Sequence, residues 1–196
     1  MNHLAHFRLA WPSEGLLVGA FLGDFVKGRL QGAFDPEVER GIRLHRAIDA
    51  FADSHPVLRH SVRRFEPDFR RFAPIMLDVI FDHFLARAWR DYHDDSLSDF
   101  QQAVFGQVLD SELPEDARRV ANRMAASRSL ERYTEVEFID RALTHIGSRL
   151  SRENPLDRGI AEFERLEGEL RSDFGLFFPQ LQTFCRDWRQ QHQGHQ

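Results

Sequence analysis

The sequence predicts an all-α fold, a single-domain bundle of many helices. Three observations predict it. Helix-starting residues recur along the whole chain, apolar residues fall at helical spacing, and no segment alternates apolar and polar residues as a half-buried strand would. A chain of 196 residues, 42% of them hydrophobic, is long enough to bury one good core. One domain over residues 1–190 is therefore expected, with a frayed polar tail at 191–196.

The elements follow in order. If the opening MNHLAH is helical, the i, i+3 spacing puts His3 and His6 on one side. Ser13-Glu14 opens a helix expected to run to about Lys27 and to end at Gly28. It is apolar nearly all round, and Gly15, Gly19 and Gly23 form a stripe along which a second helix can approach closely. Asp35-Pro36-Glu37 supplies an N-cap, a proline for the first turn and an acid beside it, opening a helix to about Asp53. Ser54-His55-Pro56 begins another, and Pro67 and Pro74 restart the chain twice, the Pro74 helix reaching about Tyr92. Later helices are expected near Ser96, Pro114, Thr134 and Pro155, with a separate final one over about 175–191.

Composition excludes several classes. Residues 15–26 are the most apolar stretch, but they fall short of the roughly 20 residues that span a bilayer, and they hold Asp24. No basic region followed by a long apolar run marks a signal peptide. A soluble protein is expected, with no membrane partner. A single cysteine, Cys185, permits no internal disulfide and fits a reducing cytoplasm. It shares a helical stripe with Leu181 and Trp188, which reads as a packed thiol. The net charge of −5 argues against nucleic acid as a partner.

Acids in apolar settings are the anomaly. Asp24 is the only charge between Glu14 and Lys27. His45, Asp49 and Asp53 follow one another at i+4 steps, with Arg46 on an adjoining face. In DVIFDHFLARAW (78–89), Asp78 and Asp82 share a stripe with Leu85 and Trp89, and His83 follows directly. Taken singly, each is more simply a surface pair or a satisfied core acid. Taken together, three helices that each bury an acid converge only around a positive charge. A mixed imidazole and carboxylate set suits Mn, Fe, Zn or Mg better than a soft, thiolate-bound metal.

A second anomaly is basic. Residues 57–71 hold five arginines and two acids, a local charge of 5 − 2 = +3 in an acidic chain. Arg59, His60, Arg63, Arg64, Arg70 and Arg71 form either an ordinary solvated face or a docking surface for an acidic partner.

MNHLAH, LGDFVKG (22–28), GIRLHRAID (41–49) and APIMLDVIFDHFLARAW (73–89) together resemble the bacterial acyl carrier protein phosphodiesterases. The likeness is strong and in order through the N-terminal half; the C-terminal half shares helical character and length. The resemblance implies a cytoplasmic enzyme that hydrolyses the phosphodiester joining 4′-phosphopantetheine to a serine of holo-acyl carrier protein. It implies a divalent metal, Mn²⁺ with Mg²⁺ or Fe²⁺ as substitutes, and an HD-domain-like helical fold. HD proteins carry His-Asp where this chain carries Asp82-His83, so their ligand roles do not transfer one for one. On this reading Asp24, His45, Asp49 and Asp82 lie at the metal, with His6 and His83 next and Asp78 as ligand or orienting group. Arg46 holds a phosphoryl oxygen, and the arginines of 57–71 dock the acidic carrier. Two other readings remain open: an HD-like phosphohydrolase for a nucleotide or other small phosphoester, and a non-enzymatic helical module gripping an acidic partner.

Overall fold

Prolines and short polar residues divide the chain into helices largely where the sequence places them. The computed structural model describes residues 2–192, so the proposed tail falls mostly outside the described residues. Helices α1 (His3–Ala10), α2 (Glu14–Leu22) and α3 (Pro36–Ser54) come first, followed by α4 (Pro56–Arg64), α5 (Pro67–Arg70) and α6 (Ala73–Arg87). The C-terminal half holds α7 (Leu97–Asp110), α8 (Glu115–Ala126), α9 (Ser129–Arg132), α10 (Val136–Arg149) and α11 (Gly159–Gln191). Short 3₁₀ turns cover Trp89–Asp91 and Leu156–Arg158, and no strand occurs among the described residues. Among these residues no helix is long and apolar enough to cross a membrane.

The caps work by satisfying amides that a helix start leaves open. Ser13 accepts from Leu16 N–H, Asp35 from Glu37 N–H, His55 from Val57 N–H and Ser96 from Asp99 N–H.

The glycine stripe does what its spacing suggests. A Cβ on Gly19 would come 2.2 Å from the Val38 carbonyl oxygen and 2.6 Å from the Gly41 Cα; one on Gly15 would come 2.5 Å from the Glu37 Cβ. Helices α2 and α3 therefore pack almost backbone to backbone. This closeness brings the end of α2 against His45.

Four features differ from expectation, the first being α6, which ends at Arg87 rather than near Tyr92 and passes into the 3₁₀ turn at Trp89–Asp91. Helix α2 ends at Leu22 rather than near Lys27, and residues 23–25 turn. The freed carbonyls of Val26 and Gly28 accept from Arg46 Nη2 at 2.9 Å and Nη1 at 2.8 Å. Gly28, at φ +76°, sits in the left-handed region where glycine is favoured. The two C-terminal helices are one, with Pro179 inside it. An interior proline costs about 3 kcal/mol. The buried stripe Phe163, Leu166, Leu170, Phe174, Phe177 and Leu181 runs on both sides of that proline, and each such side chain contributes about 1.5–3 kcal/mol when buried. Burial wins. Helix α9 was not expected; it starts after Arg128, a left-handed residue at φ 50°, and its Leu130 N–H donates to the Gln101 side chain.

Candidate functional site

Helix α1 is short, and its position is set from α6. Its opening amides are satisfied by Asn2 Oδ1, which accepts from His3 N–H, by the Asn2 carbonyl, which accepts from His6 N–H, and by Asp82. Asp82 Oδ2 accepts from Leu4 N–H at 2.7 Å and Oδ1 from Ala5 N–H at 3.2 Å. Asp82, expected at the metal, thus has both oxygens on backbone amides and holds α1 in place. Full burial pushes its carboxyl up to about 7, against those two bonds. His83 also departs from expectation. Its Nδ1 donates to the Tyr133 carbonyl at 2.6 Å and its ring meets Phe163 edge-on, among partners contributed by the C-terminal half.

With α1 fixed, His6 meets His45 of α3. The two rings stack with centroids 3.9 Å apart and planes 12° apart. Both aim Nε2 at one carboxylate: His6 lies 3.2 Å from Asp49 Oδ1 and His45 lies 3.2 Å from Asp49 Oδ2. Donor atoms of these three residues all fall within 4.8 Å of one another. The i+4 step on α3 delivers His45 and Asp49 to the same face. Asp24 reaches the cluster from the turn after α2, its Oδ1 3.8 Å from His45 Nε2 and its Oδ2 3.6 Å from His3 Nδ1. It is not the buried helical acid expected: its side chain is 52% exposed, because α2 has already ended.

His45 is oriented from its far side. Its Nδ1 lies 2.8 Å from the Ala20 carbonyl, which accepts only, so Nδ1 carries a proton. Nε2 then faces carboxylate oxygen with a lone pair, unless a proton or a metal lies between. Such an outer carbonyl is the usual way a ligating imidazole is oriented. Gly23 allows the contact, since a Cβ there would sit 2.2 Å from the ring's Cγ.

The electrostatics of the cluster move its two imidazoles in opposite directions. Burial opposes the charged form of His45, yet its bond to Asp49 and the charges of Asp49 and Asp24 raise its pKa. Burial and the adjacent His45 lower His6 to about 4. Burial also opposes ionisation of Asp49, but the bonds from His45 and His6 hold it far below the usual carboxylate range. The result is an anion facing two imidazoles with opposite tendencies, His45 drawn toward the charged form and His6 away from it.

A cleft opens over Asp24 and Asp49. Its deeper lobe, about 340 Å³, has Asp53, Asp78 and Arg59 as its other charged lining and Leu58, Val62 and Leu77 as apolar walls. Burial, with the charges of Asp49 and Asp53, pushes Asp78 up. A shallower lobe, about 260 Å³, adds Lys27 and Arg46. Arg46 spends two nitrogens on the Val26 and Gly28 carbonyls, which makes it first a clamp on the turn. Lys27 was not among the sequence candidates, although the only lysine in the chain stands three residues after Asp24.

The basic segment divides. Arg59, His60, Arg63, Arg70 and Arg71 are exposed. Arg70 Nε donates to the Phe65 carbonyl. Arg64 leaves the expected docking set: its Nε and Nη2 donate to buried Asp173 at 2.9 and 3.2 Å, tying α4 to α11.

Fold and site together define an all-helical protein with a histidine–carboxylate cluster at the floor of an open cleft. Residues 1–181 match the family model described as acyl carrier protein phosphodiesterase. Relatives named acyl carrier protein phosphodiesterase include one from Serratia proteamaculans (strain 568), 39% identical, and one from Yersinia enterocolitica serotype O:8 / biotype 1B (strain NCTC 13174 / 8081), 37% identical. Each alignment covers 95% of this chain and 98% of the relative. A third, from Escherichia coli O6:K15:H31 (strain 536 / UPEC), is 36% identical over 92% of this chain and 95% of its own. No solved structure matches. The chain belongs to the acyl carrier protein phosphodiesterase family.

Proposed function

We propose that this protein hydrolyses the 4′-phosphopantetheine–serine phosphodiester of holo-acyl carrier protein in the cytoplasm, releasing apo-acyl carrier protein and 4′-phosphopantetheine. The observation that carries the reading is the pair of stacked histidines aimed at Asp49, at the floor of a cleft with cationic side chains on both sides.

A divalent ion, Mn²⁺ or in its place Mg²⁺ or Fe²⁺, fits this donor set. His6, His45, Asp49 and Asp24 would hold it, with His45 already oriented by Ala20. Such an ion supplies charge neutralisation at the phosphoryl oxygen and a bound water of lowered pKa.

The chain's own side chains do the rest. Lys27 in the shallow lobe and Arg59 in the deep one place fixed positive charge on either side of the substrate anion. Leu58, Val62 and Leu77 exclude water from one wall, along which the pantetheine arm lies. Asp78 is a lining carboxyl whose pKa burial raises, which suits it better than a free acid to protonate the departing serine oxygen. Exposed Arg63, His60 and Arg71 offer a basic approach for an acidic carrier.

Mass spectrometry of holo-acyl carrier protein incubated with the protein and Mn²⁺ tests the reading. Conversion to the apo mass is expected. A holo mass that persists with Mn²⁺, Mg²⁺ and Fe²⁺ alike would overturn it.

A further inference from the structure

Between helices α1 and α11 lies a further, half-open pocket of about 330 Å³ whose charged lining is entirely basic. Arg8, Arg186 and Arg189 supply three guanidiniums, and Gln182 and Gln190 add amides; no carboxylate lines it. Cys185 contributes no charge, since burial pushes its thiol up to about 12. Arg8 lies two residues beyond His6, a step that turns it to the other side of α1 from the Asp49 cluster.

Two of these guanidiniums are half-buried and meet only neutral oxygens. Arg8 Nε donates to the Tyr92 carbonyl at 2.7 Å. Arg189 Nη1 donates to the Leu9 and Trp11 carbonyls at 3.3 and 2.9 Å, which ties the end of α1 to α11. Among the described residues, no carboxylate stands within ion-pair distance of either side chain, and their remaining nitrogens make no hydrogen bond. Burial and the Arg189 charge lower the Arg8 pKa; burial and Arg40 lower that of Arg189. Asp94 and Glu37 attract them only from beyond contact. Arg186 is exposed and has Asp187 at 3.4 Å.

Crowding cations into a partly desolvated site is costly unless an anion joins them. We propose that this cavity binds a small phosphate monoester, at a site separate from the Asp49 cluster. Planar guanidinium forks match phosphate oxygens two at a time, and three forks offer more donors than the two oxygens of a carboxylate can use. The volume lies near the lower end for small-molecule pockets, enough for a phosphate headgroup with a short tail and too little for a folded partner.

Calorimetric titration of the full chain with ethyl phosphate and with inorganic phosphate tests the site. Because the Asp49 cluster could also draw phosphate, the titrations are repeated on Asp49→Asn. One equivalent of ethyl phosphate is expected to bind both proteins. Arg186→Gln, at an exposed position that spares the fold, should weaken binding about tenfold, as loss of one charge-assisted bond implies. Adding Arg8→Gln should weaken it further. Tighter binding of the ester than of inorganic phosphate assigns the tail to the Leu9 wall, and equal binding makes the headgroup the whole ligand; both support the site. Absence of binding, binding lost in Asp49→Asn, or binding unchanged by the arginine variants would each overturn it.

Discussion

Asp49 and Asp173 both lie on long helices and both accept from two side chains, yet their counter-charges differ in kind. Asp173 takes Ser61 Oγ at 2.8 Å and the Arg64 fork at 2.9 and 3.2 Å. Arginine stays charged at any pH the fold survives, so that contact is permanent and ties α4 to α11. Asp49 takes two imidazoles, His45 with its pKa raised and His6 with its pKa lowered to about 4. A proton on imidazole is exchanged within the physiological range. The first arrangement builds structure; the second leaves the counter-charge on groups that titrate. Asp82 is a third solution, an acid satisfied by backbone amides.

The largest expected effect separates the two acids by activity. Asp49→Asn keeps the shape but removes the anion between the histidines. Turnover of holo-acyl carrier protein at saturating Mn²⁺ should fall by about 10²–10³, the scale of losing a charge placed at a reacting centre. The melting temperature without metal should fall as well, because the pairing with His45 is lost with the anion, so turnover is scored per folded molecule. Near-parental turnover would remove Asp49 from the machinery.

Asp173→Asn should part from it in turnover. It leaves Arg64 half-buried without its carboxylate, which should cost about 3 kcal/mol of stability in a urea titration. Turnover of the protein that remains folded should be close to parental. Equal losses of activity from the two variants would erase the distinction.

Within α4 the contrast recurs between neighbours. Arg63→Glu, at an exposed position, should raise KM for the carrier protein several-fold with kcat little changed, and should flatten the fall of activity with salt. Arg64→Glu places a second acid against Asp173 and should lower the melting temperature sharply. If Arg63→Glu leaves KM and the salt slope untouched, α4 is a solvated face.

The smallest signal concerns protons. His45 is raised in the fold, so its pairing with Asp49 stabilises the metal-free protein below the ordinary histidine pKa of about 6.5; that contribution fades as pH rises through the raised value. Asp49 is depressed, so its contribution is present above about 3.9 and is lost only as pH falls through its lowered value. Metal-free stability should therefore decline as pH rises from about 6.5 through the raised His45 value, and added Mn²⁺ should restore it. Near pH 6.5, Mn²⁺ binding should release up to one proton, from His45. His6, already neutral above about 4, should release none. Titrations in buffers of different ionisation enthalpy count the protons; two released would mean that both rings start charged.

Much of this was legible in the sequence because it is local. Asp35-Pro36, His55-Pro56 and Ser96 mark helix starts through amides within three residues, and the Gly15-Gly19-Gly23 stripe announces a close neighbour wherever that neighbour comes from. His45 and Asp49 share a face by the i+4 rule alone. The single C-terminal helix was not legible, since Pro179 is a local stop signal and the long buried stripe that overrides it acts through tertiary packing. The end of α2 was hidden likewise, because the carbonyls freed after Leu22 find their donor in Arg46 of another helix.

By itself, then, the sequence determined the all-helical class, the faces on which histidines and acids stand, and the motifs that mark the family. Helical periodicity sets the direction of each side chain relative to its own axis. It says nothing of which other helix that axis will meet. Only the tertiary structure decided that His6 stacks on His45, that Asp82 caps α1, and that Arg64 turns inward while Arg63 stays in solvent. Each of those outcomes depends on atoms from segments distant in the chain, brought together by burial of the core rather than by any local preference.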